Sequence, residues 1–364
     1  MVRISDLVRG KTSLPGSANQ DRSDSMRLSN IEQFINFNAK TPLKTPSEPH
    51  QENPPEQQLL LPIPGNLDAS EAQEIYLYAQ DYLREVRNRI LSGQPLPLEK
   101  PLKIIERMIA DPSLVDVLYQ LTLSLGHKED LDIASPVNGM VYCFKIGARM
   151  GYQPQSLMEI CLAALHHDIG MFQIPEAILK KEGKLDASEL AVIRKHTEKG
   201  RDLAKPYDAA FPNICRAIAE HHERENGKGY PQGLKGDEIS EYAKIIGICD
   251  SYEAMTHNRP HKKAVTQSLS VLQLAGAKDH LFAPHIVKVF LDEITLYPTG
   301  SYVRLNNKVL GIVVQTNHNN PFKPIIRIIT DGQGNRIADE HLINLADENI
   351  LNIVAAVTAD EISL

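Results

Sequence analysis

His221 and His222 stand side by side, seven and eight positions beyond Ile214, at the end of an apolar run of Ile214, Ala217 and Ile218 spaced as one face of a helix. Imidazoles on such a face point where the core points, and a histidine in a core needs a partner. His167-Asp168, His196 and Asp250 each fall at the inward phase of their own helical segments. A single inward histidine is more often a hydrogen-bonded core residue than a ligand. Six such donors together, two of them carboxylates too costly to bury alone, point instead to a metal cluster. Imidazole and carboxylate without thiolate suit Fe, Mn or Zn. An adjacent His-Asp pair has a specific use, because the carboxylate can bridge two metals while its neighbour binds one. Two cations roughly 3.5–4 Å apart can share a hydroxide and clamp the oxygens of a phosphodiester during in-line attack. The residues divide accordingly: His167, Asp168 and Asp250 for one ion, and Asp168, His196, His221 and His222 for the other, with Asp168 the catalytic bridge.

The elements that must position these groups are mainly helical. Up to about residue 65 the chain is rich in Ser, Pro, Asn, Gln and charge, and it buries too little to offset chain entropy, so 1–65 is expected to be mostly disordered. Residues 66–130 read as a helical accessory region. Asp68 and Glu71 suit a capping box, Ile75, Tyr78, Ala79, Tyr82, Leu83 and Val86 recur at helical spacing, and a second stretch runs through Leu102, Ile105 and Ile109 into Leu114–Leu125. Residues 131–296 form the central helical domain: one amphipathic helix through Val137, Met140, Val141, Phe144 and Ala148, a second through Leu157, Ile160, Cys161, Ala164 and Leu165 whose stripe continues to Asp168, and a third through Leu190, Ile193 and His196 capped by Asp186 and Glu189. A fourth, through Ala243, Ile246 and Gly247, places Asp250 on its buried face. From 297 to 364 the period shortens to β-rich runs, Tyr302–Leu305, Leu310–Val314 and Ile325–Ile329, expected to form a small barrel or sheet.

The chain has 364 residues, 39 basic and 46 acidic, for a net charge of -7, which argues against binding a nucleic-acid polymer through its phosphates. Cys143, Cys161, Cys215 and Cys249 lie singly in apolar segments, favouring neither disulfides nor a thiolate site. No signal peptide and no membrane-spanning segment is read, so a cytoplasmic location without membrane insertion is expected.

The ordered motifs carry a resemblance. His167-Asp168-Ile169-Gly170, the element from His196 to Gly200, His221-His222-Glu223-Arg224 with Asn226-Gly227-Lys228-Gly229-Tyr230-Pro231, and Asp250 to Thr256 with Arg259-Pro260 together resemble the HD-GYP phosphodiesterases, a branch of the HD-domain phosphohydrolases. The likeness covers roughly 131–290 and extends to the β-rich tail. It implies an HD-type helical bundle and hydrolysis of cyclic di-GMP, to linear pGpG or GMP, at two divalent transition metals, Fe or Mn. Arg259 and Lys262 fall at positions that contact the dinucleotide phosphates in the family. Lys228 is a further candidate for phosphate, Tyr230 for stacking on guanine or shaping the adjoining wall, and Glu223 for support behind the ligands. Gly227, Gly229 and Gly233 suit positive φ and close backbone approach. His166 reads as support or packing rather than a ligand.

Three positions depart from the family pattern. Met171 stands where a Lys usually follows the His-Asp-x-Gly element, Ser135 where many members place a first-helix His, and His261 where a Tyr follows Arg-Pro; Leu131 replaces the Glu of trinuclear members. A third metal is therefore not expected. Two other readings stay open: a sensor that binds cyclic di-GMP without turning it over, and an HD phosphohydrolase of another nucleotide. A signalling protein is the expected partner of the amino-terminal region.

Overall fold

A computed structural model of the chain describes residues 69–124, 130–181, 183–257, 265–276, 280–297, 299–317, 320, 322–337 and 341–357. The expected disordered segment 1–65, the Asp68 cap, the amino-terminal partner region, and Arg259, His261 and Lys262 all lie outside the described residues.

Three helices come first: α1 (Ala69–Leu91), α2 (Glu99–Ala110) and α3 (Pro112–Ser124). In α1 the buried stripe is Ala72, Tyr76, Ala79, Leu83, Val86 and Ile90, alternating four- and three-residue steps, with Tyr82 beside it. Tyr78 falls off this stripe and is exposed, which corrects its reading as a core position. The central domain follows with α4 (Leu131–Arg149) and α5 (Pro154–His166), which pack on each other. Helix α4 is buried on nearly every side from Ile133 to Gly147, as befits a helix apolar all round, and α3, α5 and α10 (Glu241–Thr256) surround it. Burial of Phe290 in this core contributes roughly 1.5–3 kcal/mol.

Short elements lie between α5 and α10: a 3-10 turn at Ile169–Gln173, α6 (Glu176–Leu179), α7 (Ala187–Arg194), α8 (His196–Ala204) and α9 (Ile214–Glu220). The Asp186 capping box forms as the sequence predicts: its carboxylate accepts from the Ser188 and Glu189 amides, and Glu189 accepts from the Asp186 amide. The helix expected to carry Ile193 and His196 together is instead two helices, broken at Lys195. Helices α11 (Gln267–Ala275) and α12 (Pro284–Glu293) close the bundle against α10. Among the described residues no helix is long and apolar enough to cross a membrane, and all four cysteines are free.

The tail is a sheet rather than a barrel among the described residues. Its strands β1 (Tyr302–Leu305), β2 (Leu310–Gln315), β3 (Ile325–Ile328), β4 (Leu342–Asn344) and β5 (Ile353–Val357) pair antiparallel in the order β4-β3-β2-β1-β5. Val303, Leu305, Val313, Ile326, Ile328 and Ile353 line its buried face at alternate positions. The first three strands match the predicted runs; β4 and β5 carry no alternation strong enough to announce them.

Candidate metal centre

Every one of the six expected ligands stands at or near an element end or on a buried helix face. His167 and Asp168 occupy the turn between α5 and the 3-10 segment, so Asp168 leaves the helical stripe it was expected to continue. His196 opens α8. His221 and His222 follow the last residue of α9 rather than lying within the helix. Asp250 sits on the inner face of α10, as predicted. Helix ends leave backbone carbonyls without intrahelical partners. Three of these histidines use such groups: the Nδ1–H of His167 donates to Ala164 O (2.7 Å), that of His196 to Ile193 O (2.8 Å) and that of His221 to Ile218 O (2.8 Å).

That repeated bond fixes the chemistry of the other nitrogen. A carbonyl can only accept, so Nδ1 carries the proton and Nε2 of each neutral ring presents a lone pair. The lone pairs face one another and Asp168. His196 Nε2 is 3.4 Å from His221 Nε2. Asp168 Oδ1 is 3.2 Å from His196 Nε2 and 3.7 Å from His221 Nε2, whereas Oδ2 is 3.3 Å from His167 Nε2, itself 3.9 Å from Asp250 Oδ1. Thus the two oxygens of one carboxylate serve two donor groups. Asp168, His196, His221 and His222 can place one donor atom each within 4.8 Å of one another, and so can His167, Asp168 and Asp250.

A cluster of buried acceptors converging on itself needs positive charge at its centre, from protons or from cations. The buried His167 Nε2 makes no hydrogen bond. Burial disfavours charge on His167, but the carboxylates of Asp168 and Asp250 outweigh it and push the imidazole up to about 10. Burial holds His221 down at about 4 and His222 well below its ordinary value, leaving both neutral as ligands must be. For Asp168 burial works against ionisation, yet His167, His196 and His221 hold the carboxyl well below its usual range. The donor set fits a pair of divalent cations: imidazoles pre-oriented by backbone carbonyls, an ionised bridging carboxylate, and no thiolate.

Close backbone approaches bring these elements together. A Cβ at Gly170 would lie 2.0 Å from His196 O, so only glycine lets the start of α8 press against the turn carrying Asp168. A Cβ at Gly247 would lie 2.7 Å from His221 O, which is what lets α10 deliver Asp250 beside the histidine pair. The loop after His222 is held by Glu223, whose buried carboxylate accepts from the amides of Gln232 (2.6 Å), Gly233 (3.0 Å) and Leu234 (3.0 Å). Gly227 and Gly233 take positive φ as expected; Gly229 does not, and is required instead because a Cβ there would meet the backbone of Glu223 at 2.4 Å.

Tyr230 takes up the second of the two roles read for it. Its ring is buried and stacks on His222, centroids 4.6 Å apart, with the Arg194 guanidinium over it at 5.0 Å. Those contacts make it part of the wall beside His222. Lys228 is exposed on the same loop. His166 is outside both donor groups: its Nδ1–H donates to Leu162 O, and Nε2 accepts from Tyr82 Oη of α1 at 2.6 Å. Met171 packs beside Ile174, Ile193 and Tyr230 in a small apolar cluster. Arg194 and Tyr82 escaped sequence reasoning because neither belongs to a motif; a partner sought for His166 was the one signal available for Tyr82.

Residues 123–286 match the family model of the HD domain, and residues 302–364 match that of a KOW domain associated with the HD domain. With the helical bundle and the histidine-aspartate cluster in place, residues 123–286 form an HD domain. Its His-Asp and Gly-Tyr-Pro elements resemble those of the HD-GYP branch of that domain, and cyclic dinucleotide phosphodiesterases are among the proteins to which it is similar. It is 31% identical over 190 residues to the cyclic di-GMP phosphodiesterase PA4108 of Pseudomonas aeruginosa, covering 51% of this chain and 45% of that protein. It is 33% identical over 153 residues to the 3'3'-cGAMP-specific phosphodiesterase 2 of Vibrio cholerae, covering 42% of this chain and 29% of that one. The chain thus spans less than half the length of either relative. Bd1817, a HDG"Y"P protein from Bdellovibrio bacteriovorus, shares the fold, with a TM-score of 0.50 at 15% identity over 62% of this chain and 71% of that one.

Proposed function

We propose that this chain hydrolyses cyclic di-GMP, opening the ring to linear pGpG and continuing to GMP where the product is retained, at two divalent transition metals, iron or manganese. The observation that carries the reading is the division of Asp168 between the two donor groups. Asp168 would bridge, His167 and Asp250 would complete one position, and His196, His221 and His222 the other. Bound there, divalent cations supply Lewis acidity toward phosphate oxygens and lower the pKa of water at neutral pH. The protein holds the geometry: backbone carbonyls fix the Nε2 atoms inward, and burial keeps His221 and His222 neutral. Glu223 would keep the Gly-Tyr-Pro loop against the ligands, while Lys228, Arg259 and Lys262 would meet substrate phosphate. The four free thiols suit the reducing cytoplasm, where we place the reaction.

A second reading, a 3'3'-cGAMP phosphodiesterase, is favoured by the relative that carries that name. Purification under anaerobic conditions, elemental analysis, and parallel hydrolysis of the two cyclic dinucleotides with product identification separate them. Two equivalents of iron or manganese and a linear or mononucleotide product from cyclic di-GMP are expected. Tight cyclic di-GMP binding with filled metal positions and no product would establish a sensor instead.

A further inference from the structure

The Arg194 guanidinium lies over the Tyr230 ring, Cζ 5.0 Å from the centroid, and the same ring stacks on the His222 imidazole. Arg194 closes α7, two residues before His196, and its side chain is exposed. Among the described residues no carboxylate comes within ion-pair distance of it. On the neighbouring elements Lys181 pairs with Glu189, Lys199 donates to Gln173 O, and Arg201 pairs with Asp202. Arg224, the other guanidinium beside the centre, is buried and donates to the carbonyls of His221 and Glu223. Arg194 therefore keeps its charge and its N–H donors at the rim, anchored by an aromatic face rather than neutralised by an acid.

We propose that Arg194 binds a phosphate of the cyclic dinucleotide, namely the one not engaged at the metal-holding groups; this rests on the function proposed above. A cyclic dinucleotide carries two phosphodiester anions, and one cluster around Asp168 can take only one of them. The other needs positive charge in a protein of net charge -7, beside Asp168 and Asp250, and Arg194 would add to what Lys228, Arg259 and Lys262 supply. A planar guanidinium offers two parallel donors that match two phosphate oxygens. Arg194 then selects a dinucleotide over an isolated phosphodiester.

The test compares the full chain with Arg194→Met and Arg194→Lys by equilibrium binding of cyclic di-GMP and by steady-state hydrolysis of cyclic di-GMP and of bis(p-nitrophenyl) phosphate, which has a single phosphodiester. Methionine keeps an apolar stem against Tyr230 and removes the charge. Arg194→Met is expected to weaken dinucleotide binding and raise KM by about 10-fold or more, the range of a hydrogen bond to a charged group. Its kcat should change less, hydrolysis of bis(p-nitrophenyl) phosphate should be unchanged, and lysine should restore part of the affinity. Parental affinity in Arg194→Met, or an equal loss on both substrates, overturns the inference. A parent chain that binds cyclic di-GMP without hydrolysing it overturns the hydrolase reading alone, and the Arg194 comparison is then read from binding. A parent that neither binds nor hydrolyses it overturns both.

Discussion

Two oxygens of Asp168 face two sets of donors, so this side chain has no substitute in the cluster. Asp168→Asn keeps the shape but replaces one oxygen with an N–H donor aimed at lone pairs. Elemental analysis should show metal content falling well below two equivalents while far-UV circular dichroism is unchanged, and turnover should drop by more than the roughly 10–100-fold typical of residues that only orient a ligand. Glu223 belongs to that orienting class. Glu223→Gln trades a carboxylate accepting three amides for a neutral group that can satisfy fewer, so thermal denaturation should show a loss of about 1–3 kcal/mol. Metal affinity by titration should weaken by roughly 10–100-fold. The donor types and their order were legible in the sequence because metal chemistry restricts which residues serve. The three amides that Glu223 gathers were not, since any backbone can supply an amide and only the path of the loop decides which ones.

At the scale of elements, the centre depends on how closely segments pack. Gly170→Ala would put a methyl group 2.0 Å from His196 O, forcing α8 away from the turn at Asp168. A destabilisation of about 1–3 kcal/mol is expected from such overpacking, with metal retention reduced more than helical content. Tyr82→Phe tests a different joint. It removes the hydroxyl that donates to His166 at 2.6 Å and leaves the buried acceptor only the long contact to Tyr207 Oη at 3.5 Å, so the melting curve should show a loss of roughly 1–3 kcal/mol with metal stoichiometry unchanged. Unchanged stability would separate α1 from the folding unit of the central domain. Helix positions were readable from the period of apolar residues, as in α4 and α10. The break at Lys195 was not, because Ile193 and His196 keep helical spacing across it. Tyr78 was misassigned for a related reason: two neighbouring stripes on α1 have similar apolar content, and only the surface it packs against chooses one.

The assembled molecule should behave as a metal-linked fold. Cations that bind the native cluster and not the unfolded chain raise stability with concentration, by about 2.7 kcal/mol at a hundredfold excess over Kd. Differential scanning calorimetry before and after chelation should therefore show a lower Tm for the stripped protein, recovered on adding back Mn or Fe. Protons compete for the same Nε2 lone pairs, so metal retention should fall as pH is lowered, followed by elemental analysis after dialysis. By itself the sequence determined the kind of chemistry, through six donors whose types suit hard or borderline cations, and the helical class, through periodicity, because both are properties of residues and local spacing. Tertiary structure alone decided that Asp168 divides its oxygens, that Tyr230 lies against His222, and that Arg194 meets the same ring. Those outcomes depend on distances between segments far apart in the chain, set by packing and close backbone contact rather than by any local pattern.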